Sequence, residues 1–304
     1  MPLRVILDTD IGTDVDDCLA LALLLGSPEV QLEGVTCVYG DVLLRARMAL
    51  KLLALRDRRD VPVFAGATKP LLGRRPVYWA GHEGQGLLEP GDDTLEPTDE
   101  GAVDYLVHTI MDNPGAIHLL AIGPLTNVAL AFLREPRLAH NLAGLTIMGG
   151  AARGPGNFHL PYAEHNIACD PEAAHVVMSA GMPLTLVPLD VTTKVRIDRT
   201  GTARIRVADT PFHAAVAGQV ERYPRFRNQG WTYLHDPLAA AILLQSDLVS
   251  TELLHVEIAL AGHHLSGATL LRAPAGDITA NATVALSVDT ARAEEFIISR
   301  IASA

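Results

Sequence analysis

The chain is short of cysteine and of long apolar runs, and each shortage excludes a class of protein. Its three cysteines, Cys18, Cys37 and Cys169, are odd in number, far apart and set among apolar or small residues. This pattern favours buried, reduced thiols rather than a disulfide framework. The apolar runs are shorter than the roughly 18 residues of a membrane span, and no secretory signal precedes the first predicted strand. We therefore expect a cytoplasmic protein with no membrane partner.

Basic residues are also scarce. Lys and Arg number 24 against 35 Asp and Glu, which gives the 304-residue chain a net charge of −11, and no Lys/Arg-rich run is present. This balance argues against nucleic acid as a partner, but not against a small nucleoside, which carries no phosphate. Apolar residues make up 49% of the chain and the mean hydropathy is +0.22, enough for a large core. Because no repeat, low-complexity tract or linker interrupts the chain, we expect residues 1–304 to form a single domain.

Acidic residues, by contrast, are concentrated near the N-terminus. The stretch DTDIGTDVDD, residues 8–17, is named here the aspartate turn and contains five carboxylates: Asp8, Asp10, Asp14, Asp16 and Asp17. An apolar run at residues 4–7 predicts a buried strand before it, and residues 18–25 predict a helix after it. The aspartate turn therefore follows the carboxyl end of a strand, which is where open α/β sheets bind their ligands.

Five carboxylates in one turn repel one another unless a cation or well-placed donors compensate them. A helix N-terminus contributes only about 0.3–1 kcal/mol per group, too little to hold the set together. A hard divalent metal, which prefers oxygen ligands, is the simplest compensating partner. The alternative is a solvated helix start in which Asp14 or Asp16 acts as the cap. We favour a metal or catalytic role for the set because Asp8 and Asp10 lie at the strand end rather than on the helix.

The rest of the chain alternates between strand and helix patterns. Apolar runs predict strands at residues 32–38, 61–64, 117–122, 145–148 and 183–188, with helical spacing between them. This alternation predicts a parallel sheet with right-handed crossovers, in which Pro62 favours a strand start or an edge position. Three later strands, at 253–260, 268–271 and 283–288, precede a final helix that begins near Thr290. Asp170 and Pro171 are typical of a helix cap and first turn.

Two long segments break this pattern and are named here the first irregular segment, residues 66–98, and the second irregular segment, residues 151–167. Ordered loops of such length inside a domain are usually functional. The first contains His82, a candidate for substrate contact. The second is rich in polar groups that are further candidates, among them Asn157, Glu164, His165 and Asn166.

Five motifs in this order resemble the inosine–uridine-preferring nucleoside hydrolases. They are the aspartate turn, Leu125-Thr126-Asn127, Met148-Gly149-Gly150, Glu164-His165-Asn166 ahead of Asp170-Pro171-Glu172-Ala173-Ala174, and His235-Asp236-Pro237. The resemblance implies an α/β fold with a Rossmann-like core, in which helices flank a central, mostly parallel sheet. It also implies Ca²⁺ at the strand ends, hydrolysis of the N-glycosidic bond of a ribonucleoside, and a homodimer or homotetramer.

The resemblance assigns metal and catalytic roles to five residues. Asp10 matches the carboxylate that contacts Ca²⁺ and acts as general base on the attacking water. Asp17 matches a bidentate metal ligand, Thr126 a ligand through its backbone carbonyl, and Asp236 the distal carboxylate ligand. His235 matches a residue near the nucleobase that could protonate the leaving base.

The resemblance also assigns five residues to the sugar. Asp16 matches the partner of a ribose hydroxyl, and Asn157, Glu164 and Asn166 match further groups that hold the ribose. Met148 matches a side chain that packs beneath the sugar. Because cleavage develops positive charge on the ribose ring, carboxylates close to it stabilise the transition state.

The chain departs from the family pattern at three places. Ile11 stands where a proline is common, and two extra residues precede the Asp16-Asp17 pair, so that Asp14 is an alternative metal or ribose contact. Asp41 stands where the family often has an asparagine that contacts ribose, and a carboxylate cannot donate a hydrogen bond. His165 occupies a position often filled by an aromatic near the base, which leaves the choice of purine or pyrimidine open.

Three other functions remain as alternatives. A non-catalytic nucleoside- or ribose-binding protein on the same scaffold is suggested by Asp41. A hydrolase of a modified or ribosyl-like substrate is another. A haloacid-dehalogenase-type phosphatase would use Asp8 as nucleophile and Asp10 as acid and base with a downstream lysine such as Lys194. That chemistry also needs a late acidic pair near the lysine, which the chain lacks.

Overall fold

One central sheet holds nine of the strands found in the computed structural model, which describes residues 2–262 and 264–304. The order across this sheet is β10-β9-β11-β6-β5-β4-β1-β2-β3, and β7 and β8 form a separate antiparallel pair. The strands are β1 (Leu3–Thr9), β2 (Val30–Cys37), β3 (Val63–Ala65), β4 (Ile117–Ala121), β5 (Gly144–Met148), β6 (Leu184–Val187), β7 (Arg196–Asp198), β8 (Trp231–Tyr233), β9 (Val249–Ile258), β10 (Thr269–Arg272) and β11 (Ala282–Val288).

Helices cover both faces of the sheet. They are α1 (Asp16–Leu25), α2 (Val42–Leu55), α3 (Ala102–Asp112), α4 (Thr126–Arg134), α5 (Leu138–Asn141), α6 (His165–Cys169), α7 (Pro171–Met178), α8 (Leu189–Thr192), α9 (Arg199–Arg206), α10 (Pro211–Arg222), α11 (Pro224–Gln229), α12 (His235–Leu244) and α13 (Thr290–Ala302). No helix in the described part of the chain has both the length and the apolar character to cross a bilayer.

The two faces of the sheet carry two separate apolar clusters. In β1, Val5 and Leu7 pack into the cluster that includes α1, α2 and α12, whereas Ile6 packs into the cluster that includes α3, α4 and α7. Successive side chains of a strand point to opposite faces, so a strand buried on both sides must be apolar throughout. This explains why the first strand appeared in the sequence as an unbroken apolar run.

Successive strands are added to the sheet first on one side of β1 and then on the other. Strands β2 and β3 follow on one side of β1, and β4, β5 and β6 follow on the other, all of them parallel. The loops after β1 and β4 therefore leave the sheet in opposite directions and open a crevice at the carboxyl ends of the strands. The aspartate turn, which joins β1 to α1, lies at this crevice.

The α/β prediction, a single domain with a mostly parallel sheet flanked by helices, is confirmed. The antiparallel strands β9 and β10 make the sheet mixed at one end, and β3 is the other edge, as Pro62 predicted. The sequence patterns missed the β7–β8 pair and the short helices α5, α6 and α8. These elements have too few residues to establish a period of their own.

Asp170 joins three parts of the fold. Its carboxylate is fully buried and caps α7 by accepting a hydrogen bond from the Ala173 amide at 3.1 Å. It also accepts hydrogen bonds from Thr126 Oγ1 and from the Leu71 amide, each at 2.6 Å. The predicted cap is thus confirmed, and it also ties α4 and the first irregular segment to α7.

We expect Asp170→Ala to lower the free energy of unfolding by about 2–4 kcal/mol, because the substitution removes a cap and leaves buried donors unpaired. Asp289→Ala is the matched control, since Asp289 caps α13 at an exposed position by accepting from the Arg292 amide at 3.2 Å. Its loss should be about 1 kcal/mol. Urea denaturation at one pH and one calcium concentration compares the two, and equal losses would contradict the linking role of Asp170.

Candidate active site

A cavity of about 540 Å³ opens at the crevice beside β1. Its walls come from separate parts of the chain that the sheet brings together. The lining residues are Asp10, Thr13, Asp14, Asp16 and Asp17 of the aspartate turn; Tyr78, Ala80 and His82; Ile122 and Met148; Pro161, Glu164, His165 and Asn166; Leu189; Tyr223 and Pro224; and His235 and Asp236. Both irregular segments therefore contribute to the site.

Most of the site residues predicted from the sequence lie on this wall. Those that line the cavity are Asp10, Asp16, Asp17, His82, Met148, Glu164, His165, Asn166, His235 and Asp236. Three do not, and each has another partner. Asp41 is exposed and caps α2 by accepting a hydrogen bond from the Leu44 amide at 3.0 Å. In this structure the Asp41 carboxylate therefore serves the start of α2 and lies outside the cavity lining.

Thr126 and Asn157 also lie outside the cavity lining. Thr126 is the first residue of α4, and its hydroxyl donates to Asp170. The residue that directly follows β4 is Ile122, which does line the cavity. Asn157 donates from Nδ2 to Asp190 Oδ1 at 2.9 Å and so serves the loop in which it lies.

Three carboxylates form the most concentrated negative charge in the cavity. Asp16, Asp17 and Asp236 are buried and each has an oxygen within 4.8 Å of the others. Burial raises the pKa of all three well above the usual value, and repulsion from neighbouring aspartates, including Asp10 and Asp14, raises it further. The Asp236 amide donates to Asp16 Oδ2 at 3.2 Å, and Thr9 Oγ1 donates to Asp17. All-oxygen donors of this charge and spacing fit a hard divalent cation.

Asp10 lies beside this group. Burial raises its pKa, and the positive charges of Arg45 and His165 oppose the rise. The loop after β4 approaches Asp10 closely because residue 123 is glycine. A Cβ there would lie 2.9 Å from the Asp10 amide nitrogen and from Oδ1, closer than any Cβ can approach. Gly123 therefore allows β1 and β4 to present Asp10 and Ile122 side by side.

Asp8 is the first carboxylate of the aspartate turn and lies within β1. It is fully buried, does not line the cavity, and its Oδ1 accepts hydrogen bonds from Thr36 Oγ1 and from Asn127 Nδ2. Its Oδ2 has no hydrogen-bond partner within the described residues, and burial raises the pKa of the carboxyl to about 7. These hydrogen bonds join the start of the aspartate turn to β2 and α4.

Asp14, which the sequence could not place, faces the cavity. Its Oδ2 accepts a hydrogen bond from the Tyr223 hydroxyl at 2.8 Å, and its Oδ1 accepts one from the Val15 amide. His82 lies on the same side, with Nε2 3.0 Å from the Thr13 carbonyl oxygen. Tyr223 was missed by the sequence analysis because it stands in a polar helical region without a motif.

Glu164 and Asn166 stiffen the part of the cavity wall that lies at the ends of β4 and β5. Glu164 caps α6 and accepts from the amides of Asn166, Ile167 and Gly150 at 2.8, 3.2 and 3.0 Å. Asn166 Nδ2 donates to the carbonyls of Ile122 at 2.8 Å and Met148 at 3.1 Å. These bonds join the ends of β4 and β5 to the second irregular segment, so that both polar side chains are held rigidly at the cavity.

Two histidines on the wall have opposite tendencies to bind a proton. The pKa of His165 is raised to about 9, chiefly by its contact with Cys169, whose Sγ lies 3.6 Å from Nε2. Burial lowers the pKa of His235 to about 4, and Arg225 adds to the effect. Its Nδ1 lies 2.7 Å from Thr192 Oγ1. When Thr192 donates this bond, the neutral ring carries its proton on Nε2.

The sequence analysis missed two further residues that shape the site. Asp190 is buried and accepts from the amides of Ala152 and Gly154 at 2.7 and 3.0 Å, which folds the second irregular segment around its carboxylate. It follows β6 at the carboxyl end of the sheet, a position that could have revealed it. Arg45 is fully buried on the apolar face of α2, and a basic residue at core-facing spacing was the signal for it.

Comparisons with known proteins agree on one family. The family model for inosine-uridine preferring nucleoside hydrolase matches residues 5–295. The pyrimidine-specific ribonucleoside hydrolase RihA of Salmonella arizonae is 35% identical over 89% of each chain. Among solved structures, the purine-preferring ribonucleoside hydrolase of Gardnerella vaginalis has a TM-score of 0.88 and 30% identity, with 98% of each chain covered. The plant nucleoside hydrolase PpNRh1 has a TM-score of 0.88 at 29% identity and covers 99% of each chain.

The carboxylate cluster predicts how stability changes with pH when no metal is bound. Because the pKa values of Asp16, Asp17 and Asp236 are raised, the folded chain binds more protons than the unfolded chain above pH ~4. In chelator, the free energy of unfolding should therefore fall as the pH rises from about 5 to about 8. Asp236→Asn should flatten this fall, and added Ca²⁺ should stabilise the wild type more than the variant.

Thermal and urea unfolding across the pH series, with and without Ca²⁺, measure both effects. Asp93→Asn is the control, since Asp93 is exposed on the first irregular segment. Parallel pH curves for the wild type and Asp236→Asn would contradict the repulsion, and equal stabilisation by Ca²⁺ would contradict the metal assignment.

Proposed function

Because this chain belongs to the inosine-uridine preferring nucleoside hydrolase family and is therefore a hydrolase of N-glycosyl bonds, we propose a Ca²⁺-dependent reaction with Asp10 as general base. The reaction cleaves a ribonucleoside into free base and ribose. The observation that supports it is the cavity itself, which Asp10 lines together with three buried carboxylates, Glu164 and Asn166.

The residues present fit a calcium ion. Asp10, Asp17 and Asp236 would hold it, as the resemblance implies, and Asp16 is close enough to share in the site. The backbone carbonyl of Ile122 takes the place that the sequence analysis gave to Thr126, since it lies at the end of β4 on the cavity wall. When bound, Ca²⁺ supplies positive charge that orients the ribose hydroxyls and makes a water more acidic.

Asp10 then removes the proton from the attacking water. A general base works best when its pKa lies near the working pH, and burial moves the pKa of Asp10 in that direction. As the glycosidic bond breaks, positive charge develops on the ribose ring, and the surrounding carboxylates stabilise it more than they stabilise the neutral substrate. The same carboxylates thus serve the cation and the transition state.

Side chains from several parts of the cavity wall hold the sugar. Glu164 and Asn166 offer fixed polar groups to the ribose hydroxyls, with Met148 beneath and Asp16 as the partner of a hydroxyl. Asn157 does not line the cavity and donates to Asp190. Asp14 also lines the cavity, and its hydrogen bond to Tyr223 holds it ready for a further hydroxyl contact.

His235 is the proposed donor to the leaving base. It lines the cavity, and the hydrogen bond of its Nδ1 to Thr192 leaves Nε2 as the ring nitrogen that serves the substrate. Its lowered pKa means that it must gain its proton when the substrate binds, or act as a hydrogen-bond donor from the neutral ring. His165, whose pKa is raised, is the second candidate because it carries a proton at neutral pH.

Two of the three alternative functions lose their main support. A ribose-binding protein without activity was suggested by Asp41, which lies outside the cavity. A phosphatase of the haloacid dehalogenase type needs Asp8 as an accessible nucleophile, but Asp8 is fully buried, and the exposed Lys194 does not line the cavity. We further propose a homodimer or homotetramer in the cytoplasm, as the resemblance and the three free cysteines suggest.

A hydrolysis panel tests the proposed reaction. We expect release of reducing sugar from one or more of inosine, adenosine, guanosine, uridine and cytidine, and its loss in chelator until Ca²⁺ is restored. The panel also decides base preference, because relatives of both kinds exist, named pyrimidine-specific and purine-preferring.

Asp10→Ala should lower kcat by about 10³-fold without unfolding the chain, since it removes the general base. Asp41→Ala, outside the cavity, is the matched control, and near-normal turnover in Asp10→Ala would overturn the assignment.

His235→Ala tests the donor. It should lower turnover of natural ribonucleosides by about 10²-fold, because their bases leave poorly without a proton. It should have little effect on a nitrophenyl riboside, whose leaving group needs none. An equal loss on both substrates would exclude His235 as the donor, and His165→Ala is the variant to compare under the same conditions.

A further inference from the structure

Arg45 is a buried cation behind the aspartate turn. Its side chain is fully buried in α2. Nη1 donates to the carbonyls of Asp10 and of Ile11, the second at 2.9 Å, and Nη2 donates to Thr13 Oγ1 at 3.0 Å. Nε donates to the Tyr39 carbonyl at 2.6 Å. One guanidinium therefore binds the backbone of the turn at consecutive residues and fastens it to the loop after β2.

The charge of Arg45 also faces the carboxylates. Nη2 lies 4.0 Å from Asp10 Oδ2, near enough for attraction but longer than a hydrogen bond. Burying a guanidinium is unfavourable unless hydrogen bonds and an opposite charge compensate it. Arg45 meets this condition mainly through the turn, with the Tyr39 carbonyl as a further acceptor, so its position and the shape of the turn depend on each other. A lysine could not replace it fully, because an ammonium lacks the planar fork that spans several acceptors.

Arg45 reaches the first irregular segment as well. The ring of Trp79 lies over the guanidinium, with 5.0 Å from Cζ to the ring centroid. Thr13, which accepts from Arg45, donates from its hydroxyl to Glu83 Oε1 at 3.4 Å, and Glu83 accepts from the Ala80 amide at 2.8 Å. Arg45 thereby connects the aspartate turn to the first irregular segment, and both line the cavity.

We propose that Arg45 is a positioning residue that fixes Asp10 and the aspartate turn for hydrolysis. It does not line the cavity, so it acts through the turn rather than on the substrate. The inference rests on the proposed function in one respect, the role of Asp10 as general base. Its structural part, that Arg45 holds residues 10–13 in place, is independent of that role and has its own measurement.

Arg45→Met, Arg45→Lys and the control Met48→Leu test this inference. Met48 lies on the same helix and packs against the same turn, since a Cβ on Gly12 would lie 2.8 Å from its sulfur, but it donates no hydrogen bond there. Hydrogen exchange of the peptide at residues 8–15 is followed in the full-length protein in chelator. Then kcat and KM for a hydrolysed ribonucleoside are measured at saturating Ca²⁺.

We expect Arg45→Met to speed local exchange about tenfold or more and to lower kcat about 10²-fold, because a small misplacement of a reacting group has effects of this size. KM should change less than kcat, since three of the proposed sugar contacts, Glu164, Asn166 and Met148, lie outside the turn. Arg45→Lys should fall between, and Met48→Leu should resemble the wild type in both measurements.

A folded Arg45→Met protein with normal kcat and normal exchange would overturn the inference, as would equal losses in Met48→Leu. If Arg45→Met does not fold, Arg45→Lys decides: normal kcat overturns the inference, and a loss with faster local exchange supports it. If the wild type hydrolyses no ribonucleoside, the proposed function fails, while the exchange measurement still tests whether Arg45 holds the turn.

Discussion

Repulsion among buried carboxylates is the constraint on which the rest of this structure depends. Asp10, Asp16, Asp17 and Asp236 share one cavity, and burial makes each negative charge harder to maintain. Such a group persists only where charge or donors are supplied from several directions. Arg45 places a positive charge near Asp10, the Asp236 amide donates to Asp16, and the Thr9 hydroxyl donates to Asp17. On the cavity side, the cluster is accessible to a cation.

The fold places these compensating groups through one topological feature. At the reversal beside β1, the loops after β1 and β4 separate, and Gly123 lets them come close again at Asp10. Below this point Asn127 donates to Asp8 and accepts from the Ala67 amide at 2.8 Å, which joins the sheet to the first irregular segment. The cavity is therefore built on rigid strand ends, while its walls come from long loops.

The sequence predicted the elements and the aspartate turn well, because periodicity and local charge report directly on strands, helices and unusual turns. It could not predict which way a side chain points. The Asp41 carboxylate, predicted to contact the substrate, caps α2, and the Thr126 hydroxyl donates to the buried Asp170, which the local sequence does not reveal. Arg45 and Asp190 were missed for the opposite reason, since each is one polar residue in an apolar pattern and gains its role only from distant backbone groups.

Asp14 links the aspartate turn to a distant part of the site. It faces the cavity, where its carboxylate adds to the repulsion on Asp16. Tyr223 donates to Asp14 from the junction of α10 and α11, so this helical region becomes part of the cavity wall together with Pro224. Burial lowers the pKa of His235, the charge of Asp14 opposes this, and Arg225 of the same region adds to it. The aspartate turn and α11 therefore act on His235 in opposite directions, and a change in either alters the electrostatics of the histidine.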